Sequence, residues 1–228
     1  MISFVVATRN AHKVAEIQTI LGSAFACLPL TAFPAAPPLV EDGQTFSANA
    51  ARKAVQLATW LVAQPPEAHE DRGAAAVQPP WRVLADDSGL EVDTLGGAPG
   101  VHSARFAADE SGAGANASDA TNNAKLLRLL KEVPWEKRTA RFHCVLALAD
   151  ADPQSAIRNP QLFDGTCEGR IGFAPRGRGG FGYDPLFVPD GFDISFAELG
   201  QEVKNRLSHR FQALARLKQW LAVSSGGQ

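Results

Sequence analysis

Two adjacent aspartates, Asp86 and Asp87, follow an apolar run that is typical of a buried strand. The run ends at residues 83–85 (VLA), and an alternating segment resumes at residues 90–92 (LEV). Two carboxylates at the end of a core strand are costly to bury unless positive charge lies against them. Because consecutive strand residues point to opposite faces, we expect one carboxylate to face a cleft and the other to support it. A divalent cation is the expected partner, and a carboxylate-rich turn is the structural alternative.

Length and charge limit the classes of protein that this chain can be. Its 228 residues suit one large domain or two small lobes with an ample core. A net charge of −2, with 45% hydrophobic residues, argues against a nucleic-acid or membrane surface that works by bulk charge. No apolar run has the length of a membrane span, and no signal sequence is recognisable at the start. We therefore expect a cytoplasmic protein with no nucleic-acid or membrane partner.

The three cysteines are odd in number and widely spaced, at positions 27, 144 and 167. This spacing supports neither a disulfide framework nor a CxxC metal site. We expect the thiols to be reduced and mostly buried.

The chain begins with a pattern that predicts a strand, a tight turn and a helix. An apolar run at residues 2–7 precedes Thr8-Arg9-Asn10, and apolar residues with helical spacing follow as far as Leu21. The N-terminus of such a helix offers free N–H groups to an anion, and Lys13 adds a full charge one turn in. Phosphate binding is one interpretation; the other is that Thr8 or Asn10 only caps the helix.

A second helix is predicted from about Ser47 to Val62 by an apolar stripe with helical spacing. Asn49 and Lys53 are four residues apart and share a different face of this helix. Glu41, just before the helix, is a second candidate metal ligand, and Lys53 a second candidate for phosphate binding. The alternative for Lys53 is a solvated helix face.

Further elements follow along the chain. Residues 64–80 are polar and rich in Pro and Ala, which predicts a surface insertion without chemistry. A helix is predicted from Asp119, ended by Pro134, and strands are predicted at 138–148 and 163–171 that could pair as antiparallel neighbours. His143 in the first of these strands is favoured as a sheet-face histidine over a metal ligand.

A glycine-rich segment at residues 177–185 formally contains GxGxxG. A dinucleotide fingerprint must open a helix, whereas an apolar extended segment follows here, so we do not assign that function. The glycines allow a ligand to approach the backbone closely, and Phe181 could offer its ring face to a base. A plain flexible loop is the alternative.

The last helix places two cations in its first turn. Ser208 is the predicted N-cap, so His209 and Arg210 oppose the helix dipole at a cost of about 0.3–1 kcal/mol each. We expect an anion or a hydrogen-bond acceptor from outside the helix to compensate them. Lys204, four residues before the cap, could reach the same place.

Seven blocks in order along nearly the whole chain resemble the motifs of the inosine triphosphate pyrophosphatase family, the Ham1/RdgB-like nucleotide house-cleaning enzymes. The blocks are Thr8-x-Asn10-x-x-Lys13, residues 41–53 (EDGQTFSANAARK), Asp86-Asp87-Ser88-Gly89-Leu90, residues 96–100 (GGAPG), Phe142-His143-Cys144, residues 180–185 (GFGYDP), and Lys204 followed by Ser208-His209-Arg210.

The resemblance implies an elongated α/β fold with a long, mixed, twisted central sheet flanked by helices, and two lobes with a cleft between them. It implies a single domain over residues 1–223, with residues 224–228 as a flexible tail, and usually a homodimer. Family members hydrolyse ITP, dITP and XTP to the monophosphate and pyrophosphate with Mg2+, which removes these non-standard purines from the nucleotide pool.

The resemblance also implies roles for individual residues. Asp87 matches the catalytic acidic residue, Glu41 and Asp87 surround the metal, and Asp86 supports them. The triphosphate contacts match Thr8, Asn10, Lys13 and Lys53, and Ser88 matches a substrate contact. The nucleoside and base pocket matches Phe181, Gly182, Tyr183, Asp184, Lys204, His209 and Arg210. Donors from His209 and Arg210 would pair with the 6-keto group of the purine and reject the 6-amino group of adenine.

One position departs from the family pattern. Arg9 replaces the usual glycine in the phosphate turn, where it adds a charge and limits the backbone conformations available. Two other classes stay open: a nucleotide sensor that keeps the pocket but not the chemistry, and a single-strand nucleic-acid binder that uses Phe181 and the Arg176–Arg178 loop. Within the enzyme class, the alternative is a pyrophosphatase for another modified nucleotide.

Overall fold

A computed structural model describes residues 2–64, 81–108, 116–152 and 159–225. Apart from Gln64, the predicted surface insertion at 64–80 lies outside the described residues. The tail residues 226–228 lie outside them too.

Strands and helices alternate along the first part of the chain, as the sequence predicts. In chain order the elements are β1 (Ile2–Val6), α1 (Ala11–Leu21), β2 (Phe25–Pro29), α2 (Phe46–Val62), β3 (Trp81–Val92), α3 (Asp119–Leu129), β4 (Thr139–Ala151), β5 (Gln161–Ile171), β6 (Phe187–Pro189), α4 (Phe196–Leu199), α5 (Gln201–Leu207) and α6 (His209–Ser225). A 3-10 turn, Gly100–Arg105, precedes α3.

The strands of the described residues form one six-stranded mixed sheet in the order β2-β1-β3-β4-β5-β6. β1 lies parallel to both β2 and β3, with Val5 opposite Val83 in the second pair. β5 and β6 run antiparallel. The predicted α/β class with a mixed central sheet is confirmed, and the two predicted strands β4 and β5 are neighbours.

The chain divides into two compact units, each with its own core. Unit 1 comprises Met1–Asp87, Val145–Asp164 and Ala213–Gln228, and unit 2 comprises Ser88–Cys144 and Gly165–Gln212. In unit 1 the predicted stripe of α2 is buried: Phe46, Ala50, Ala54, Leu57, Ala58 and Leu61. In unit 2 a cluster of apolar side chains is buried, including Leu90, Leu126, Phe142, Tyr183, Phe187 and Phe196.

The strand that carries Asp86 and Asp87 does not end before them. β3 is continuous from Trp81 to Val92, so the expected strand end at residues 83–85 and the alternative of a carboxylate-rich turn are both wrong. The strand continues because lysines compensate both carboxylates, as described below. Gly89 also lacks a Cβ that would collide with the Ser103 hydroxyl oxygen, so the strand passes close to the 3-10 turn.

Two further findings concern the cysteines and the described helices. Cys27 is half-buried, Cys144 and Cys167 are buried, and all three are free thiols. None of the described helices combines the length and the apolar character that crossing a membrane requires.

Candidate active site

A buried lysine joins three acidic residues in unit 1. Lys53 Nζ donates to Glu41 Oε1 at 2.7 Å, to the backbone oxygen of Asp86 at 2.7 Å and to Asp87 Oδ1 at 3.3 Å. The residue is only 3% exposed, so the alternative of a solvated helix face is wrong. The α2 helix buries this polar face because the carboxylates of its neighbours compensate the ammonium charge.

Asp87 is held on its other oxygen by a neutral partner. Asn49 Nδ2 donates to Asp87 Oδ2 at 3.1 Å, and Asn49 Oδ1 accepts from the Gly43 N–H at 2.8 Å. The amide of Asn49 therefore has a fixed orientation and presents its donor to the carboxylate. The spacing of Asn49 and Lys53 on one helix face was visible in the sequence, but the contact of Asn49 with Asp87 was not predicted.

Burial sets the protonation behaviour of this cluster. Burial raises the pKa of the Asp87 carboxyl, and the nearby Lys53 and Lys13 charges and the Asn49 hydrogen bond only partly offset it. Burial alone would lower the pKa of Lys53, but the charges of Asp87 and Glu41 outweigh it and raise that pKa. Lys53 therefore stays an ammonium ion at neutral pH, and Asp87 is a more basic carboxylate than an exposed aspartate.

The two adjacent aspartates have different side-chain partners. Lys13 Nζ on α1 makes an ion pair with Asp86 Oδ1, whereas the Asp87 carboxylate contacts Asn49 and Lys53 on α2. This arrangement follows from the alternation of strand side chains. The Asp86 carboxylate is fully buried, and the ion pair with Lys13 compensates its charge.

The turn before α1 is organised by its own polar side chains. Asn10 Oδ1 accepts from the N–H groups of His12 at 2.9 Å and Lys13 at 3.3 Å, and Thr8 Oγ1 accepts from the Asn10 N–H at 3.1 Å. Asn10 is therefore the N-cap, as one sequence interpretation predicted. A guanidinium nitrogen of Arg9 donates to the backbone oxygen of Ala36 at 3.0 Å, so this side chain links the turn to the loop after β2.

The donor set around Lys53 fits a magnesium ion that shares its ligands with a phosphate. Glu41 and Asp87 each place a carboxylate oxygen on the same nitrogen, and Mg2+ is usually held by one or two carboxylates, with substrate phosphate and water completing its shell. Within the described ranges, no group of three or more His, Cys, Asp or Glu residues could hold a metal alone.

In unit 2, a second buried ion pair holds the glycine-rich loop. Lys204 Nζ donates to Asp184 Oδ2 at 2.6 Å, and both side chains are 2% exposed. The same oxygen accepts from the Phe181 N–H at 2.9 Å, and the ammonium group lies 4.5 Å from the centre of the Phe181 ring. Gly180 is required here because a Cβ would collide with the Asp184 carboxylate. The predicted residues Phe181, Asp184 and Lys204 are therefore brought together in an ordered loop.

Tyr183 is also fixed within unit 2. Its hydroxyl donates to the backbone oxygen of Ser103 at 2.8 Å, in the 3-10 turn. Burial is the main cause that raises the pKa of this hydroxyl, so it remains a neutral donor at neutral pH. The backbone of Gly182 is bound by Asp119 and Asn123 on α3, which sequence reasoning did not single out.

The first turn of α6 has the predicted cap and finds an acceptor outside the helix. Ser208 Oγ accepts from the Phe211 N–H at 3.2 Å. Arg210, 1% exposed, donates to Ser88 Oγ at 3.0 Å, so the expected outside acceptor is the hydroxyl next to Asp87 in sequence. The ring of His209 stacks on Phe142 with centroids 4.9 Å apart and planes 13° from parallel. The structure therefore pairs Arg210 with Ser88, but directs Lys204 to Asp184.

The sequence is similar to proteins of known family over nearly its whole length. The model of the Ham1 family matches residues 4–220. The chain belongs to the Ham1 family. The dITP/XTP pyrophosphatase of Halalkalibacterium halodurans is 45% identical over 222 residues, which cover 97% of this chain and 100% of that protein. The dITP/XTP pyrophosphatase of Geobacter sulfurreducens is also 45% identical over 222 residues, covering 97% of each chain.

Solved structures of other Ham1 proteins share this fold. The Staphylococcus aureus Ham1 protein aligns with a TM-score of 0.75 at 32% identity, covering 97% of this chain and 99% of that one. A HAM1 protein from Coxiella burnetii aligns with a TM-score of 0.73 at 37% identity over the same shares. The Ham1 family therefore accounts for both the sequence motifs and the architecture of this chain.

Proposed function

We propose that this Ham1 protein is a nucleoside triphosphate pyrophosphohydrolase that converts ITP, dITP and XTP to the monophosphate and pyrophosphate. Its relatives named dITP/XTP pyrophosphatase support the reaction and the substrate class. The observation that carries the proposal is the buried cluster in which Glu41 and Asp87 converge on Lys53. This cluster has the carboxylates for a metal and a base, and the cation for a phosphate.

Asp87 is the proposed general base. A water oxygen forms a bond to the α-phosphorus while the bond from that phosphorus to the bridging oxygen breaks, and pyrophosphate leaves with the electron pair. Asp87 accepts the proton of the water, and its raised pKa makes it a stronger base for this step. Asn49 holds one oxygen of the carboxylate and so sets its direction.

Glu41 and Asp87 are the proposed ligands of Mg2+, with Asp86 in support through its ion pair with Lys13. Bound there with the triphosphate, the cation would polarise phosphate oxygens and lower the pKa of the attacking water. To hold the cation, the Glu41 carboxylate, whose side chain is 40% exposed, would have to separate from the Lys53 ammonium.

The cations of unit 1 are the proposed triphosphate contacts. Lys13 and Lys53 each exchange a carboxylate partner for phosphate oxygens, which neutralises the charge of the leaving pyrophosphate. The N-terminus of α1 adds the positive end of its helix dipole to the same group of contacts, while Asn10 Oδ1 holds the N–H groups of His12 and Lys13. Arg9 adds a positive charge at this turn and contributes to the affinity for the triphosphate.

The buried donors of unit 2 are the proposed purine contacts. His209 and Arg210 donate to the 6-keto group and would face another donor in adenine, so ATP is rejected. Phe181 stacks on the base, and the nucleoside contacts are completed by Ser88, Gly182, Tyr183, Asp184 and Lys204. We extend the same proposal to a homodimer in the cytoplasm, which the family resemblance implies.

Replacement of Asp87 tests the mechanism. We expect Asp87→Asn to lower kcat for ITP by about 10²–10⁴-fold, the usual contribution of a general base. Asp42→Asn is a matched control, because Asp42 is an exposed acid beside Glu41 that pairs with Arg52. Near-normal turnover by Asp87→Asn would contradict the assignment.

A further inference from the structure

Helix α3 is hydrogen-bonded to both the N–H and the carbonyl of one glycine, Gly182, in the glycine-rich loop. The Gly182 N–H donates to Asp119 Oδ2 at 2.6 Å, and the Gly182 carbonyl accepts from Asn123 Nδ2 at 3.0 Å. Asp119 and Asn123 are four residues apart, so they lie one turn above the other on the helix. The loop is therefore fixed at this point in both position and orientation.

Gly182 is the point of the loop that most needs such support. Its φ of +63° lies in the left-handed region, and a Cβ built there would meet no atom within 4 Å. A side chain at this position would therefore meet no neighbour, and the two hydrogen bonds to α3 fix the backbone of Gly182. Its neighbours along the chain, Phe181 and Tyr183, are proposed substrate contacts. A rotation of the peptide at Gly182 would move both of them.

Helix α3 also supports the side chain of Tyr183 through the 3-10 turn. The Tyr183 hydroxyl donates to the Ser103 carbonyl, and Asn122 Nδ2 donates to the next carbonyl, that of Ala104, at 3.3 Å. Three polar residues of the helix thus hold the backbone beside Tyr183 and the turn that its hydroxyl binds: Asp119, Asn122 and Asn123.

Stability of the fold alone does not explain why an asparagine occupies position 123. The residue is 7% exposed, and its Oδ1 atom is buried with no hydrogen-bond partner among the described residues. A buried amide with an unsatisfied acceptor is costly, and an apolar residue would suit a helix face that also carries the buried Leu126. The hydrogen bond to the Gly182 carbonyl is the interaction that an apolar residue could not make.

We propose that Asp119 and Asn123 are positioning residues that set the Phe181–Tyr183 loop for recognition of the purine base. They act through the Gly182 peptide groups and do not touch the substrate. This inference rests on the proposed function, in which that loop contacts the nucleoside. It adds a specificity determinant on a helix that carries none of the residues assigned above.

The test uses the exposed member of the pair, since its replacement does not open a cavity. Asp119→Ala removes the acceptor, Asp119→Asn keeps an acceptor oxygen, and Glu132→Ala removes an 88% exposed acid just beyond the same helix. For each variant we would measure kcat and KM with ITP and with ATP, the melting temperature, and the affinity for IMP by calorimetry.

The loss of one oriented hydrogen bond to the loop predicts that Asp119→Ala raises KM for ITP and weakens IMP binding about tenfold each. The kcat should stay within about twofold. The ITP/ATP preference should fall, because His209 and Arg210 distinguish the 6-position less strictly when the loop no longer holds the base in place. Asp119→Asn should restore most of the affinity, and Glu132→Ala should match the wild type.

Unchanged IMP affinity and KM in Asp119→Ala would overturn the inference. So would an equal loss of kcat for ITP and ATP with no change in KM, since a merely structural role predicts that pattern. If the wild-type protein hydrolyses no nucleotide, the proposed reaction fails instead. The IMP measurement still tests the positioning role in that case.

Discussion

The Lys53 ammonium group lies 3.3 Å from Asp87 Oδ1 in the interior of unit 1, where the lysine is 3% exposed. This lysine neutralises carboxylates that a bound metal ion could compensate in its place. Substrate and metal would then bind together, because the phosphate takes the ammonium while the cation takes the carboxylates.

Lys53→Met should destabilise the protein strongly, because it leaves the Asp87 carboxylate buried without its cation. Breaking a buried ion pair in this way typically costs about 3–5 kcal/mol. Added Mg2+ should recover part of the loss by binding the folded state. Denaturant unfolding with and without MgCl2 measures both effects.

Arg52→Met is the matched control for this experiment. Arg52 is the preceding residue of α2 and pairs with the exposed Asp42, and such surface pairs are worth about 0–1 kcal/mol. Equal stability of the two variants would contradict the role given to Lys53.

Asp87→Asn should raise stability at neutral pH while it abolishes most activity. The pKa of Asp87 is raised in the folded state even with Lys53 beside it, so the ionised carboxylate is less favourable there than in the unfolded chain. The Lys53 ammonium keeps its ion pair with Glu41 in this variant, whereas Lys53→Met removes the cation from both carboxylates. The destabilisation by the ionised carboxylate is absent below the pKa that Asp87 has in the unfolded chain. It grows as the pH rises towards the pKa of Asp87 in the folded state, and it persists above that pKa. The advantage of Asp87→Asn should therefore be present at pH 7 and vanish as the pH falls below about 4.

Urea unfolding of the wild type and Asp87→Asn at several pH values, without divalent cations, measures this difference. A variant that is less stable than the wild type at pH 7 and gains relative stability on acidification would show that the folded pKa is lowered instead. That result would also weaken the case for Asp87 as a base.

Arg210→Ala should reduce the discrimination between ITP and ATP. The guanidinium is 1% exposed and donates to Ser88 Oγ, so its position is fixed before a base arrives. Removing a donor that pairs with the 6-keto group should lower the ratio of kcat/KM values by about 10²-fold or more. An unchanged ratio would remove Arg210 from the base contacts.

The thiols should react slowly with alkylating reagents in the native protein. Burial raises the pKa of Cys27 to about 11 and is the main cause that raises the pKa of Cys167 to about 12. At pH 8, about one Cys27 thiol in a thousand is then ionised, against roughly a quarter for a free cysteine. Mass spectrometry after iodoacetamide treatment, with and without denaturant, measures the protection. Alkylation of the native protein as fast as that of the denatured protein would contradict this prediction.

Local patterns in the sequence predicted the elements well. The stripe of α2, the Asn10 cap and the Ser208 cap depend on residues within a few positions of one another, and all were confirmed. The continuation of β3 through Asp86 and Asp87 was missed, because it depends on lysines from two separate helices. The ion pairs that stabilise the strand at these positions come from residues far from it in the sequence.

In the candidate site, too, local patterns were predicted from the sequence and long-range contacts were not. The family resemblance selected the residues, and strand alternation predicted that Asp86 and Asp87 diverge. The partners themselves come from distant parts of the chain: Arg210 lies 122 residues from Ser88, and Gly182 lies 63 residues from Asp119. Asp119 and Asn123 carried no signal beyond ordinary helix residues, since their role is to bind a backbone that only the fold brings near.

The most direct test of the proposed function is the release of pyrophosphate, distinguished from phosphate, from ITP, XTP, dITP, GTP and ATP with Mg2+. We predict stoichiometric pyrophosphate and monophosphate from ITP, XTP and dITP, and slow turnover of GTP and ATP. Release of phosphate in place of pyrophosphate, or equal turnover of ATP and ITP, would contradict the account.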